Sequence, residues 1–221
     1  MCFSAEASFV GGVIITALGV ATVRKVHKPS QIVFASIPLF FGMQQIAEGF
    51  VWLALQNPEY AGVQKLATYW FLIMAQVFWP SMIPVAVLLM EKNKRRIKIL
   101  KILLVMGVTV SLYYTFCLIT FHIMPEIRGY HIEYVRDYPK SLEIPVFLVY
   151  LITSITPLFV STVKRTYILG ILMTFSCLVT ILFFTQYLTS VWCFFGAFMS
   201  MVIFWILSDA RKKFRLGRKT N

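Results

Sequence analysis

Long apolar stretches alternate with short polar segments along the whole chain. Charged and turn-forming residues delimit seven such stretches, at about 7–23, 32–55, 66–90, 99–121, 144–163, 167–187 and 191–208. Each is close to the roughly 20 apolar residues that a helix needs to cross a bilayer. None shows the alternation of barrel strands, and hydrocarbon does not tolerate unpaired backbone groups. The pattern therefore predicts an all-α, polytopic membrane bundle of seven transmembrane helices.

The composition agrees with a membrane location. Of the 221 residues, 59% are hydrophobic and 14% are charged, whereas a soluble domain carries about 25% charged residues. Seven spans would occupy most of the chain, so we expect one membrane domain over residues 1–221, in contact with the lipid of the cell membrane. Residues 1–8 contain Glu6 and no Lys or Arg, which favours a retained first helix over a secretory signal, because such a signal begins with a basic segment.

The basic residues predict the orientation. The first, third and fifth connections and the tail at 209–221 hold 17 Lys and Arg, whereas the other connections hold four. Cytoplasmic loops retain an excess of these residues. We therefore expect the amino terminus outside, the carboxyl terminus with its basic tail in the cytoplasm, and an odd number of spans. This topology accounts for the net charge of +12, so no nucleic-acid partner is expected.

Polar residues form a stripe in the second predicted span. Gln44, Gln45, Glu48 and Trp52 lie three, four and seven positions apart, which places them on one face of a helix. A charged residue at the centre of a span costs about 2.5 to 3.5 kcal/mol, so Glu48 needs a hydrogen-bonding partner or a water-filled pocket. One interpretation makes Glu48 the polar centre of a binding site. The other is a structural polar contact between helices.

Further polar side chains are predicted on the same side of the membrane. Gln76 lies near the middle of the third span, and Cys2, Ser4 and Glu6 precede or begin the first. Together they indicate an outward-facing cavity, although ordinary enrichment of polar side chains at the interface gives a similar pattern. The predicted ligand-binding residues are Glu48, Gln44, Gln45, Trp52, Gln76, Cys2, Ser4 and Glu6. The connection from His122 to Glu143 is expected to form a small outer cap or a solvated loop.

The cysteines and histidines do not form a recognisable metal motif. The sequence contains no CxxC, HxxxH or HExxH spacing, so no metal site is predicted. Loss of Met1 would give Cys2 an adjacent amine and thiol, a pair that can chelate a soft metal or act as a nucleophile. Cys117 and Cys177 are expected to pack as small apolar side chains. No cofactor can be named, and neither the cysteine pairing nor the oligomeric state follows from the sequence.

Two segments carry a family resemblance. The opening MCFSAEASF (1–9) and QQIAEGFVW (44–52) resemble a small family of uncharacterised multi-pass membrane proteins of bacteria and archaea. The resemblance covers the whole chain and implies that the signature positions are Cys2, Ser4, Gln44, Gln45, Glu48, Gly49 and Trp52. It implies no activity.

Three functional classes remain open on these observations. The leading hypothesis is a membrane protein that binds a small molecule or an ion in an outward-facing pocket at Glu48, as a transporter or sensor. The second is an intramembrane enzyme acting on a lipid or isoprenoid, with Glu48 as general acid or base and Cys2 as nucleophile or metal ligand. The third is a non-catalytic subunit or scaffold, which predicts an apolar groove and no polar pocket.

Overall fold

The computed structural model describes residues 4–183 and 195–219, and their side chains as far as residue 211. These residues form seven continuous helical segments and one β-hairpin. The elements are α1 (Ala5–Val23), α2 (Ile32–Gln56), α3 (Ala61–Leu72), a π-helical segment (Ile73–Phe78), α4 (Trp79–Met90), α5 (Lys94–Thr120), β1 (Ile123–Arg128), β2 (His131–Arg136), α6 (Lys140–Val160), α7 (Thr166–Phe183) and α8 (Gly196–Lys219). Short 3₁₀ turns at Pro29–Gln31 and Pro58–Tyr60 precede α2 and α3.

Six of the helical segments are long and apolar enough to cross a membrane. They are Ala5–Val23, Pro29–Gln56, Pro58–Met90, Lys94–Thr120, Lys140–Val160 and Thr166–Phe183. The seventh predicted stretch differs: its residues 191–194 lie outside the described part, and α8 continues through the expected tail as far as Lys219. Lys and Arg are good helix formers, which explains this continuation. Residues 184–187 of the sixth predicted span are likewise not described.

The connection after α5 is not helical, because it folds into a two-stranded antiparallel hairpin. Ile123 pairs with Arg136 at its open end, and Arg128 pairs with His131 beside the turn. Gly129 has a φ of +63°, a left-handed conformation that costs glycine little. The hairpin buries its apolar residues Ile123, Ile132 and Tyr134 against the ends of the helices. It thus forms the small cap that was one of the two expectations for this segment.

The bundle has two distinct ends. The hairpin face carries the start of α1, the ends of α2 and α5, the hairpin and the start of α6. The basic face carries the connections α1–α2, α4–α5 and α6–α7 and the polar part of α8. Hydrogen bonds join its parts: the Arg211 guanidinium donates to the Arg24 carbonyl at 2.7 Å, and the Arg96 guanidinium donates to the Val160 carbonyl at 2.7 Å.

A carboxylate on the basic face ties two connections together. Glu91 accepts hydrogen bonds from the backbone amides of Lys92, Asn93 and Thr162, and from the Thr162 hydroxyl at 2.8 Å. Burial raises the pKa of Glu91, but these hydrogen bonds outweigh it, and the pKa lies below its ordinary value of 4.5. The α4–α5 and α6–α7 connections are therefore held together by an ionised acid.

Two prolines shape the helix that runs through α3, the π-helical segment and α4. Neither Pro80 nor Pro84 has a backbone N–H, so the carbonyls of Gln76 and Pro80 lack their usual donors four residues on. A wide π turn is a known way to absorb such a break. Near it, Ser111 and Tyr150 donate to the carbonyls of Val77 (2.6 Å) and Ala75 (2.8 Å). Side chains of α5 and α6 thus donate hydrogen bonds to carbonyls on both sides of Gln76.

Candidate functional site

The predicted stripe on α2 is entirely buried. Glu48 is 0% exposed, Gln44 and Gln45 are each 1% exposed, and Trp52 is 2% exposed. The Gln45 amide donates to a Glu48 carboxylate oxygen at 2.6 Å. Glu48 therefore has the hydrogen-bonding neighbour that its position requires. This pair lies within α2 itself, three residues apart.

The residues of the stripe divide between two neighbours. The Trp79 indole N–H of α4 donates to the Gln44 side-chain oxygen at 2.8 Å, and Trp79 stacks on Phe41 with ring centroids 4.2 Å apart. Trp52, by contrast, belongs to a second apolar cluster with α1, α3 and the hairpin, which includes Ala5 and Ile132. Gln44 thus points toward the centre of the bundle, whereas Trp52 packs on the other side.

A cavity of about 310 Å³ lies in the bundle on the side of Gln44. This is at the lower end of the volume range of small-molecule sites, about 300–1,000 Å³. Its apolar walls come from α2, α4, α6, α7 and α8: Ile37, Phe41, Ile83, Phe147, Leu158, Leu169, Met173, Met199 and Ile203. Along α6 the lining extends from Glu143 to Leu158, a rise of about 22 Å for 15 residues. The cavity is therefore long and mostly apolar.

The polar lining is concentrated toward the hairpin face. Arg136 at the end of β2, Tyr138 after it and Glu143 in the first turn of α6 all line the cavity. Glu143 is exposed and Arg136 is half-buried. The Arg136 guanidinium carbon lies 5.4 Å from the centroid of the Tyr138 ring, a cation–π contact. One end of the cavity is therefore charged and the other end is apolar.

Gln76 is a buried polar residue at this end of the cavity. It lies in the π-helical segment, is 5% exposed and lines the cavity. Its side-chain oxygen accepts a hydrogen bond from the Tyr138 hydroxyl at 3.1 Å, whereas its amide nitrogen has no partner among the described residues. Burial raises the pKa of Tyr138, and Arg136 lowers it less, so the hydroxyl stays protonated. An unpaired buried donor costs about 1–3 kcal/mol, which a ligand acceptor would remove.

The structure brings some of the predicted residues to the cavity and leaves others elsewhere. Gln44 and Gln76 line it; Gln45, Glu48 and Trp52 are not among the described residues that do. Ser4 caps α1 by accepting from the Ala7 amide at 3.2 Å, and Glu6 is exposed in the first turn of that helix. Cys2 lies outside the described residues. The cavity therefore lies on the Gln44 side of α2, and Glu48 is not among the described residues that line it.

Two of the four cysteines lie among the described residues. Cys117 and Cys177 are free and buried, consistent with packing roles, while Cys2 and Cys193 are not described. Within residues 4–183 and 195–211, no group of three or more His, Cys, Asp or Glu could hold a metal ion. The cavity chemistry visible here is hydrogen bonding and charge, together with apolar contact.

Sequence reasoning missed most of the polar end of the cavity. Arg136 and Tyr138 belong to the connection for which a cap or a solvated loop is expected, and Trp79 is not among the predicted site residues. The tyrosines Tyr113, Tyr114 and Tyr150 also line the cavity. A usable signal was the clustering of tyrosines at the same predicted depth in neighbouring spans, since tyrosine places a polar tip on an apolar body.

The comparison with known protein families identifies a family for this chain. Residues 1–217 match the model of a family of unknown function (DUF6629). No curated protein and no solved structure matches the chain. Because the match covers nearly the whole sequence, the chain belongs to this family of unknown function.

Proposed function

We propose that this protein is an integral membrane protein that binds an amphipathic small molecule in its intramembrane cavity, as a transporter or a sensor. The observation that carries the proposal is the cavity of about 310 Å³, whose lining includes Gln76, a buried residue whose side-chain amide nitrogen has no partner among the described residues. Small-molecule sites are typically apolar pockets with a few convergent polar groups. The apolar walls and the polar end at Arg136, Tyr138 and Gln76 have this character.

We further propose that the hairpin face is outside the cell and the basic face is cytoplasmic. The excess of Lys and Arg on the basic face supports this orientation. The hydrogen bond from Arg211 to the Arg24 carbonyl places the polar part of α8 at the same face as the α1–α2 connection. An odd number of spans, with α8 as the seventh, is consistent with that placement. The cavity would then open toward the exterior of the cell membrane.

Single cysteines test this orientation. Tyr130 at the hairpin turn is 79% exposed, and Lys94 on the basic face is exposed. In intact cells, a membrane-impermeant maleimide should label Tyr130→Cys above the wild-type level and should label Lys94→Cys only after lysis. The reverse pattern would show that the proposed orientation is wrong.

The cavity itself is tested with a matched pair of substitutions on α8. Met199 lines the cavity, whereas Met201 is 51% exposed on the outside of the bundle. Met199→Trp should fill the cavity, lower ligand affinity at least tenfold and reduce the amount of co-purifying amphiphile seen by native mass spectrometry. Met201→Trp should leave both unchanged. If the wild type neither co-purifies with nor is stabilised by any amphiphile in a chemically varied panel, the proposal fails.

The alternatives differ from this proposal in testable ways. A scaffold without a ligand predicts an apolar groove, and the polar end at Arg136 and Gln76 favours a ligand site instead. An intramembrane enzyme acting on a lipid or isoprenoid would turn its ligand over. Extraction of the bound molecule after prolonged incubation distinguishes the two outcomes: an unchanged ligand supports binding alone, and a modified ligand supports the enzyme.

A further inference from the structure

Three side chains at the hairpin end of the cavity form one connected polar strip. The Arg136 guanidinium lies over the Tyr138 ring at 5.4 Å, and the Tyr138 hydroxyl donates to the Gln76 oxygen at 3.1 Å. That hydrogen bond occupies the acceptor of the Gln76 amide. The N–H₂ group is left without a partner among the described residues, and Gln76 is one of the residues that line the cavity. The strip therefore presents donors and a positive charge to any molecule inside.

The charge balance of this strip favours an anionic partner. No ion pair of Arg136 occurs in the part of the chain that the structure describes; the other hairpin arginine, Arg128, pairs with Glu126 and Glu133 at 3.1 and 2.8 Å. Glu143 is the one acid among the described lining residues, and it is exposed, so water can solvate it. A guanidinium and an amide N–H together match the oxygens of a carboxylate or phosphate.

The shape of the rest of the cavity restricts the size of the apolar part of the ligand. From the strip the lining continues past Tyr150 to Leu158, Leu169 and Ile203, all of them buried. The length along α6 is about 22 Å, while the volume of about 310 Å³ is near the minimum of ligand sites. A long and narrow space of this kind suits one extended chain and not the two chains of a phospholipid.

We propose that the ligand is a single-chain amphiphile whose anionic head group, a carboxylate or a phosphate, binds Arg136 and the Gln76 amide while its chain extends toward Leu158. This inference rests on the proposed function, because it specifies the ligand of the same cavity. Arg136 sets the preference for negative charge, Gln76 supplies a buried donor, and Tyr138 holds the Gln76 amide in position.

The test compares ligands that share one alkyl chain of about 16 carbons and differ in the head group. The full-length protein in zwitterionic nanodiscs is titrated with the fatty acid, the alkyl phosphate, the alcohol and the amine, by calorimetry and thermal shift. We expect the acid or the phosphate to bind at least tenfold more tightly than the alcohol and the amine, since a hydrogen bond to a charged group is worth about tenfold or more in affinity. The tighter of the two anions identifies the head group.

Three charge variants assign the effect to the strip. Arg136→Gln should lower the affinity for the anion about tenfold and remove its advantage over the alcohol. Arg128→Gln, the matched control on the same hairpin, should change neither. Glu143→Gln should leave anion binding unchanged or tighter, because it removes a like charge from the rim. If Arg136→Gln fails to fold, the ligand series on the wild type and on Glu143→Gln still decides the question.

The outcomes separate this inference from the proposed function. Equal binding of all four amphiphiles, or tightest binding of the amine, overturns the anionic head group and leaves the cavity as a binding site. If none of the four amphiphiles binds, the proposal of a single-chain anionic ligand is overturned. If in addition nothing from the wider panel binds or co-purifies, the proposed function fails as well.

Discussion

The contact between α4 and α5 at Gly107 allows a quantitative prediction. Pro84 cannot donate to the Pro80 carbonyl, and α5 approaches that carbonyl through the bare Cα of Gly107. A Cβ at position 107 would overlap the Pro80 oxygen and lie 2.8 Å from its carbonyl carbon, where ordinary contact begins at 3.4 Å. Gly107→Ala therefore requires the two helices to separate by about 1 Å, which a close-packed interior resists.

The cost of that separation follows from the same contacts. Overpacking costs about 1–3 kcal/mol. Displacement also weakens the Ser111 hydrogen bond to the Val77 carbonyl, 2.6 Å long and one turn along α5, by about 0.6 kcal/mol. The higher helix propensity of alanine offsets about 1 kcal/mol of this destabilisation. The net destabilisation is about 0.6–2.6 kcal/mol, which for a chain of this size lowers the melting temperature by about 1–10 °C.

Thermal unfolding in detergent micelles, followed by far-ultraviolet circular dichroism, measures this effect. Gly62 is the matched control, because it also lies in a helix and a Cβ there would meet nothing within 4 Å. Gly62→Ala should melt at or slightly above the wild-type temperature. If Gly107→Ala melts as high as Gly62→Ala, the close approach at Pro80 does not exist and the reasoning is refuted.

Three further predictions follow from other contacts. Trp79→Phe keeps the ring stacked on Phe41 but removes the donor to Gln44; it should cost about 0.6–1.7 kcal/mol in thermal unfolding, and an unchanged melting temperature would contradict the hydrogen bond. Because the pKa of Glu91 is lowered in the folded protein, its contribution to stability is present above the usual value of 4.5 and is lost as the pH falls through the lower folded value. Melting temperatures measured from pH 6 to pH 3 should fall less steeply for Glu91→Gln than for the wild type, and parallel curves would exclude the ionised contact. Gln45→Leu removes the donor to the neighbouring carboxylate and should lower stability while leaving amphiphile affinity within about twofold; a large loss of affinity would place that pair in the binding site.

The sequence predicted the helices and the buried acid for the same physical reason. In lipid, a long apolar segment can pair its backbone groups only by forming a helix. The free-energy cost of burying a carboxylate such as Glu48 in that helix must be offset by a hydrogen-bonding partner. The partner found, Gln45, is on the same face and three residues away. Both predictions depend on residues that lie close together in the sequence, and the hydrophobic and polar pattern of a single segment is enough to make them.

The hairpin and the cavity were harder to predict because they depend on contacts between distant residues. The strands contain Pro125 and charged residues, which obscure their apolar-polar alternation. The polar strip joins Gln76 to Tyr138, 62 positions later, and nothing local to either residue indicates the other. The cavity is a gap between six of the described helical segments, and its location depends on packing angles that periodicity does not give.

The π-helical segment sets which residues of the continuous helix Pro58–Met90 line the same cavity. Successive residues of an α-helix are rotated by about 100°, and a π turn holds an additional residue. Deletion of Val77 would therefore rotate α3 by about 100° relative to α4. The amide of Gln76 and the indole of Trp79 would then no longer line the same cavity. The wide turn works as a one-residue spacer, and the alignment of the two halves of this helix depends on it.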